Sequence, residues 1–438
     1  MNASATDAAP SLSEVLATHR VVVTVGSGGV GKTTTAAALG VRAAMEGKRV
    51  LVLTIDPARR LANSLGLDRI AADEQQIGPE VFEAHGLPLR GSLSAMMLDT
   101  KRTFDELVRK TAGSPDAAER ILRNDIYGYV AGSLAGTSEY MAMEKLHAVK
   151  DDARFDLVVL DTPPTSNALD FLDAPEKMIA AIDSPAMRWF IEAFREGEGR
   201  GFFAELVAKS TNLVLKGLSR FTGAGFLEQV AEFVTGMNEL FGGFQTRAQE
   251  VARDLRGDDV AFVIVTSPAP MAIREAIFFG DRLGDYGMRR DGVVVNGVHT
   301  LFPEPSAPPE QQRAALEAAL AGDEVDVREL HERMGRALED ERMRAVADRI
   351  ETDRLRNRLD AAVPFVEVPA FEEDVHDVAA LARVATYLVG EASVDGDLAA
   401  LTAATDTAAT DTAATDTAAT GTAATSQAAV STAEKEGA

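Results

Sequence analysis

The stretch GSGGVGKTT, Gly26 to Thr34, follows an apolar run, VVVTV, and opens into TTTAAALGVRAAMEG, a good helix former. Gly-x-x-x-x-Gly-Lys-Thr between a strand and a helix is the pattern of a phosphate-binding loop. Glycines at 26, 28, 29 and 31 let backbone N–H groups turn inward around phosphate oxygens without Cβ clashes. A helix beginning near Lys32 points its positive end at the same anion. The pattern assigns Gly28, Gly29, Val30, Gly31, Lys32, Thr33 and Thr34 to the phosphates. Lys32 is expected to reach the β- and γ-phosphates, and the Thr33 hydroxyl to ligate Mg²⁺.

Further short, nearly continuous apolar runs occur at Arg49–Ile55, Phe155–Asp161, Val260–Thr266, Gly292–Asn296 and Phe365–Val368. Unbroken rather than alternating apolar character marks strands buried on both faces, as in a parallel sheet covered by helices. Helical segments between them supply the crossovers, so the expected class is doubly wound α/β. Residues 1–20 read as a polar lead-in with a short helix near Ser11–His19, and 21–390 as the main domain. Two segments too long for simple crossovers, about 93–150 and 174–255, are expected to form an inserted helical subdomain. The stretch 308–360 is charged and helical in texture. From about residue 391 the repeat TAATDTAATDTAAT cannot bury enough apolar surface to offset its ordering entropy, and a disordered low-complexity tail is expected over 391–438.

The 438 residues carry a formal net charge of −24 and no dense Lys/Arg block, which disfavours direct binding to nucleic acid or an anionic membrane. Cysteine is absent, so thiolate metal sites and disulfides are excluded. The start lacks a charged-then-apolar leader pattern, and no apolar run approaches a spanning length, so a cytoplasmic chain without a transmembrane segment is expected.

Two of the runs end in aspartate. Arg49–Ile55 leads into Asp56-Pro57-Ala58, and Phe155–Asp161 into Asp161-Thr162-Pro163-Pro164-Thr165. Ligands of open parallel sheets sit outside the carboxyl ends of the strands, where both carboxylates would face the nucleotide. Asp161 suits the Mg²⁺ shell, acting through a water molecule, and Asp56 could position or deprotonate the attacking water; Asp56 and Lys32 are the catalytic candidates. A turn or helix-cap role is open for each aspartate. After the VVVN run, Asn296 lacks the Lys-x-Asp that accompanies guanine specificity, and a lone carboxamide can pair with the adenine edge. ATP is the inferred nucleotide.

Taken together, GSGGVGKTTT, Asp56–Ala58, DTPPT–ALDFL (Asp161–Leu172), VVVN and VPAFEEDVHDVAAL resemble the arsenite-pump and tail-anchored-protein-targeting ATPases, deviant members of the P-loop NTPase fold. The resemblance covers roughly Val21 to Val389. It implies a dimeric ATPase with nucleotides near the subunit interface, Asp56 acting on the hydrolytic water from the first switch, and Asp161–Thr165 forming the second. It also implies that Asn296, with Pro369 and Phe371, holds adenine.

The chain departs from that pattern at Ser27, where the family usually carries a lysine that reaches the partner's nucleotide. A hydroxyl cannot replace that charge, whose loss is worth several kcal/mol, or about a thousandfold in rate. Three readings are open: a heterodimer with a lysine-bearing paralogue rather than a homodimer, substitution by Arg59 or Arg60, or slow hydrolysis. Phe and Met residues concentrated between Met187 and Phe244 suit either the core of the helical subdomain or an adaptable groove for a hydrophobic-helix client. The functional expectation is an ATP-driven switch coupled to a hydrophobic client or membrane partner. The alternatives are the energising subunit of an anion or metalloid exporter and a weakly active regulatory subunit.

Overall fold

The computed structural model describes residues 11–55, 60–67, 70–125, 127–128, 137–162, 173–174, 176–177, 179–180, 233, 243–321, 325–394 and 396. Element numbers below run through these residues. The chain divides into two compact units: 1–297 with 350–390, and 298–349 with 391–438. The boundary between the units at 297–298 falls within the stretch 21–390 expected as the main domain.

The first unit is built on eight strands: β1 Val21–Val25, β2 Arg49–Thr54, β3 Gln75–Ile77, β4 Ser92–Met97, β5 Leu157–Asp161, β6 Val260–Thr266, β7 Gly292–Val298 and β8 Phe365–Pro369. Their order across the sheet is β3-β4-β2-β5-β1-β6-β7-β8. Strand β1 pairs in parallel with β5 on one side and β6 on the other, and β3 runs antiparallel to β4 at the edge. Every residue of β1, β5 and β6 is buried, as their unbroken apolar runs require. The connection from β1 runs to β2 on one side, and the chain later passes from β5 across β1 to β6 on the other, which places a crevice at the carboxyl end of β1.

Strand β4 corrects the expectation of helical structure from about residue 93. SLSAMM lacks β-branched residues, yet it pairs along its whole length with β2. Helical structure begins instead at Thr100. The lead-in is also more than polar chain. Helix α1, Ser13–Thr18, buries Val15 and Leu16. Ahead of it, fully buried Leu12 donates its N–H to the Leu388 carbonyl at 2.9 Å, and the Ser11 hydroxyl donates to the Val389 carbonyl at 2.8 Å. These bonds tie the amino-terminal segment to the end of α11, Val378–Leu388.

Around the sheet lie α2 (Lys32–Met45), α3 (Arg60–Ser64), α4 (Pro79–Glu83) and α8 (Pro270–Asp285). The helical portion comprises α5 (Thr100–Thr111), α6 (Pro115–Leu122), α7 (Thr137–Lys150) and the helical stretch 243–254. Side chains cap its first two helices: Asp99 accepts from Arg102 N–H and Ser114 from Ala117 N–H. Its core stacks Phe104 on Tyr127 with ring centroids 5.5 Å apart, and Phe244 lies 5.9 Å from Phe104. Phe244 is thus a core residue. The remaining Phe and Met residues named for a groove lie outside the described residues, apart from Phe233.

Two ion pairs and a histidine–carboxylate contact join α7 to the chain that leads into β6. Glu144 meets Arg247 Nε at 2.9 Å, His147 meets Asp254 at 2.6 Å, and Lys150 meets Asp259 at 3.0 Å. Burial pushes the Glu144 carboxyl above the usual range, and the Arg247 bond opposes it. In the second unit, α9 is Pro309–Ala319 and α10 is Val327–Arg356, whose last residues belong to the first unit. There His299 meets the Asp348 carboxylate through Nδ1 at 2.7 Å and donates its backbone N–H to it at 2.9 Å.

Replacing Leu12 by alanine removes a fully buried side chain and should cost about 2–5 kcal/mol in urea unfolding, showing that the lead-in belongs to the fold. Arg247→Met should cost about 3–5 kcal/mol at neutral pH by leaving Glu144 buried without its partner. With its folded pKa then raised further above the unfolded value, the penalty is full above the folded pKa. It should shrink as the pH falls from neutral to a mildly acid value below that raised pKa, where the carboxyl protonates within the fold. Denaturation curves at the two pH values check the sign.

Candidate nucleotide-binding site

The loop between β1 and α2 crosses the carboxyl end of the central strand. Gly31 occupies the cap position of α2 with φ 93°, and Gly26 has φ 153°. A Cβ at Gly26 would fall 2.0 Å from the Val265 carbonyl oxygen of β6, so only glycine lets the loop leave the sheet here. No side chain caps the start of α2, and its first turn holds no acidic residue. The opening N–H groups of the helix, and the partial positive charge they carry, are therefore left for an anion.

Lys32, the first residue of α2, is 5% exposed, and its Nζ donates to the Ser27 carbonyl at 2.7 Å. The lysine thus spans the loop from end to end. Ser27 and Thr34 are half-buried, Gly28 and Gly29 are exposed, and Val30 is buried.

Strand register builds the second wall. Asp161, the last residue of β5, is level with Thr24 of β1 and Thr54 of β2. It is fully buried, and one oxygen, Oδ2, accepts from the Thr33 hydroxyl at 2.8 Å and the Thr54 hydroxyl at 3.0 Å. The next residue, Thr162, donates its hydroxyl to the Thr24 carbonyl at 2.8 Å. The start of α2 and the ends of three strands are therefore cross-linked within one layer. Bonds to an ionised acceptor are the stronger kind, and a buried carboxylate needs them.

The donor set fits Mg²⁺. Thr33 and Asp161 offer hard oxygens side by side, and no cluster of three or more His, Cys, Asp or Glu able to hold a metal occurs among the described residues. An ion that keeps most of its water and takes its remaining ligands from phosphates needs no such cage.

The structure brings the phosphate loop, Thr33 and Asp161 together, and it also brings Asn296 to the loop. The Asn296 carboxamide donates to the Val30 carbonyl at 3.1 Å. Pro369 ends β8 and is buried. Phe371 is half-buried, packs edge-on to Tyr387 at 5.9 Å and lies under the Arg383 guanidinium at 4.5 Å, so its ring contacts are to α11. Asp56, Pro163, Pro164, Thr165 and Arg59 lie outside the described residues.

Sequence inspection passed over Thr54 and Thr24. Their signal was a hydroxyl within apolar runs buried on both faces, a position that calls for a hydrogen-bond partner.

A glycine loop and helix start at the carboxyl end of the central strand, beside a carboxylate-ended parallel strand, define a P-loop NTPase. Residues 19–333 match the model of the anion-transporting ATPases. The chain belongs to that family, the arsenite-pump and tail-anchored-protein-targeting ATPases, and it is an ATPase. It is 24% identical over 312 residues to ATPase get3 of Pyrenophora tritici-repentis, covering 70% of this chain and 82% of that protein. It is 25% identical over 326 residues to ATPase ASNA1 homolog 1 of Paramecium tetraurelia, covering 73% and 87%. A shorter match, 29% over 177 residues, relates it to ATPase GET3 of Komagataella phaffii, covering 37% of this chain and 48% of that protein.

Thr54→Val keeps the side-chain shape and removes one donor to Asp161. Loss of a hydrogen bond to a charged group predicts a drop in phosphate release of about tenfold or more. Unchanged turnover would show that the carboxylate is held without Thr54.

Proposed function

We propose that the chain is an ATP-driven switch whose nucleotide state governs its hold on a hydrophobic client or membrane partner, and that its own loop leaves hydrolysis short of one positive charge. The observation that carries this reading is the combination of an intact phosphate loop, with Thr33 on Asp161, and Ser27 where related loops carry lysine.

In this reading Gly28 to Thr34 cradle the phosphates through N–H groups, and Lys32 exchanges its Ser27 carbonyl for β- and γ-phosphoryl oxygens. Mg²⁺, when bound, neutralises charge on the same oxygens. Thr33 would supply a hydroxyl ligand, and Asp161 would hold the metal's water shell through its carboxylate. Asp56 would orient the attacking water. Asp161 and the following Thr162, Pro163, Pro164 and Thr165 would form the segment that responds to the terminal phosphate. Asn296, Pro369 and Phe371 would receive adenine, since they sit at or beside the strand ends on the β7–β8 side of the loop.

Ser27 cannot place a cation against a second subunit's nucleotide. A heterodimer with a lysine-bearing paralogue restores one such charge, and a homodimer restores none. The family resemblance to targeting ATPases supports a hydrophobic-helix client. The family's anion-transporting description supports a second reading, an exporter's energising subunit. With no cysteine in the chain, such a subunit could not hold a metalloid by thiolates. Among the described residues no helix is long and apolar enough to cross a membrane.

Purified alone, the chain should bind MgATP and turn it over slowly, with a rise of about a thousandfold on addition of the lysine-bearing partner. Lys32→Ala should abolish uptake measured by calorimetry. Brisk turnover by the chain alone, lost on replacing Arg59 or Arg60, would overturn the heterodimer. ATP-dependent crosslinking to a hydrophobic helix separates the targeting role from the exporter role.

A further inference from the structure

We propose that Asn296 is a positioning residue for the phosphate loop: its carboxamide sets the plane of the 30–31 peptide and so couples the base end of the nucleotide site to the phosphate end. The inference rests on the reading of the loop as an ATP site and goes beyond an adenine contact.

Asn296 lies near the end of β7, two strands from the loop's own strand β1, yet its Nδ2 donates to the Val30 carbonyl at 3.1 Å. The direction of the amide is determined by chemistry. A backbone carbonyl only accepts, so the facing atom must be the nitrogen. The fit is close as well as polar. A Cβ at Gly31 would fall 2.3 Å from the same Nδ2, so the carboxamide fills the space that any side chain at 31 would take.

A trans peptide holds its C=O and N–H pointing opposite ways, and the described residues include no cis bond. Pulling the Val30 carbonyl toward Asn296 therefore turns the Gly31 N–H to the other side of the loop. Gly31 caps α2 in a left-handed conformation, where neither its φ nor a side chain restrains that plane. Rotation of the 30–31 peptide would present a carbonyl where the phosphates need a donor, and a preorganised donor is what such a loop supplies. Asn296 holds one orientation without touching phosphate. Because a carboxamide also carries an acceptor oxygen, one side chain can answer to the adenine amino group and to the loop together.

Inorganic tripolyphosphate with Mg²⁺, which has no base, separates the two roles. Asn296→Leu is a neutral replacement of similar shape, and Asn296→Ala removes the group outright. Each is assayed below its own melting temperature for tripolyphosphate inhibition of turnover, for ATP binding and for kcat. Loss of one neutral hydrogen bond predicts tripolyphosphate binding weakened about five- to tenfold in both variants, with a lower kcat. Tripolyphosphate inhibition equal to wild type in either variant, with only ATP binding weakened, would confine Asn296 to the base and overturn the proposal while leaving the ATP site standing. Failure of the wild-type protein to take up MgATP would remove the underlying reading instead. Wild-type protein that binds ATP but not tripolyphosphate would overturn the latch alone, since the loop would then not be set before the base arrives.

Discussion

Asp161 is the hub of the molecule. One carboxylate oxygen, fully buried at the end of β5, takes hydrogen bonds from Thr33 at the start of α2 and from Thr54 at the end of β2. A buried carboxylate is costly unless its acceptors are met, so the sheet must bring both hydroxyls to one level. The register does so, with Thr24, Asp161 and Thr54 abreast on neighbouring strands. The phosphate loop, the strand that precedes Asp56 and the strand that opens the DTPPT segment thus share a single polar contact. On the proposed reading, a change in what Thr33 or Asp161 binds would be felt at the base of both segments.

The charge pattern gives that contact its setting. A chain of net charge −24 must gather positive potential locally if it is to hold a polyphosphate. It does so with Lys32, the start of α2 and the loop's backbone N–H groups rather than with a basic surface. A loop lysine at position 27 would have added one more charge. On the proposed reading, serine there would leave the cradle intact and take away only what would reach outward, separating the holding of the nucleotide from the acceleration of its hydrolysis.

Burial elsewhere explains how the site is kept rigid. The amino-terminal segment is tied to α11 through backbone and hydroxyl bonds. On the helical portion, the ion pairs of Glu144 and Lys150 and the contact of His147 with Asp254 align α7 with the chain entering β6. Since α7 leads into β5 and its partners lead into β6, this ladder braces the two strands that flank β1. The Glu144–Arg247 pair is buried, where losing one partner costs more than the pair itself contributes.

The loop, the parallel strands around it and the carboxylate at the end of β5 were legible in the residues, because each depends on local properties. Glycine spacing, unbroken apolar runs and a strand-end aspartate carry their meaning within a few positions. Strand β4 was not legible: SLSAMM has no β-branched content and alternates only over its first four residues, and pairing with β2 and β3 makes it a strand. Leu12 likewise reads as part of a polar lead-in until the body of the sheet closes over it. Thr54 sits 107 residues from Asp161, and Asn296 sits 266 from Val30. Such partnerships arise from strand order and register, which local sequence does not encode, so only the folded chain could decide which hydroxyls hold the carboxylate and which amide holds the loop.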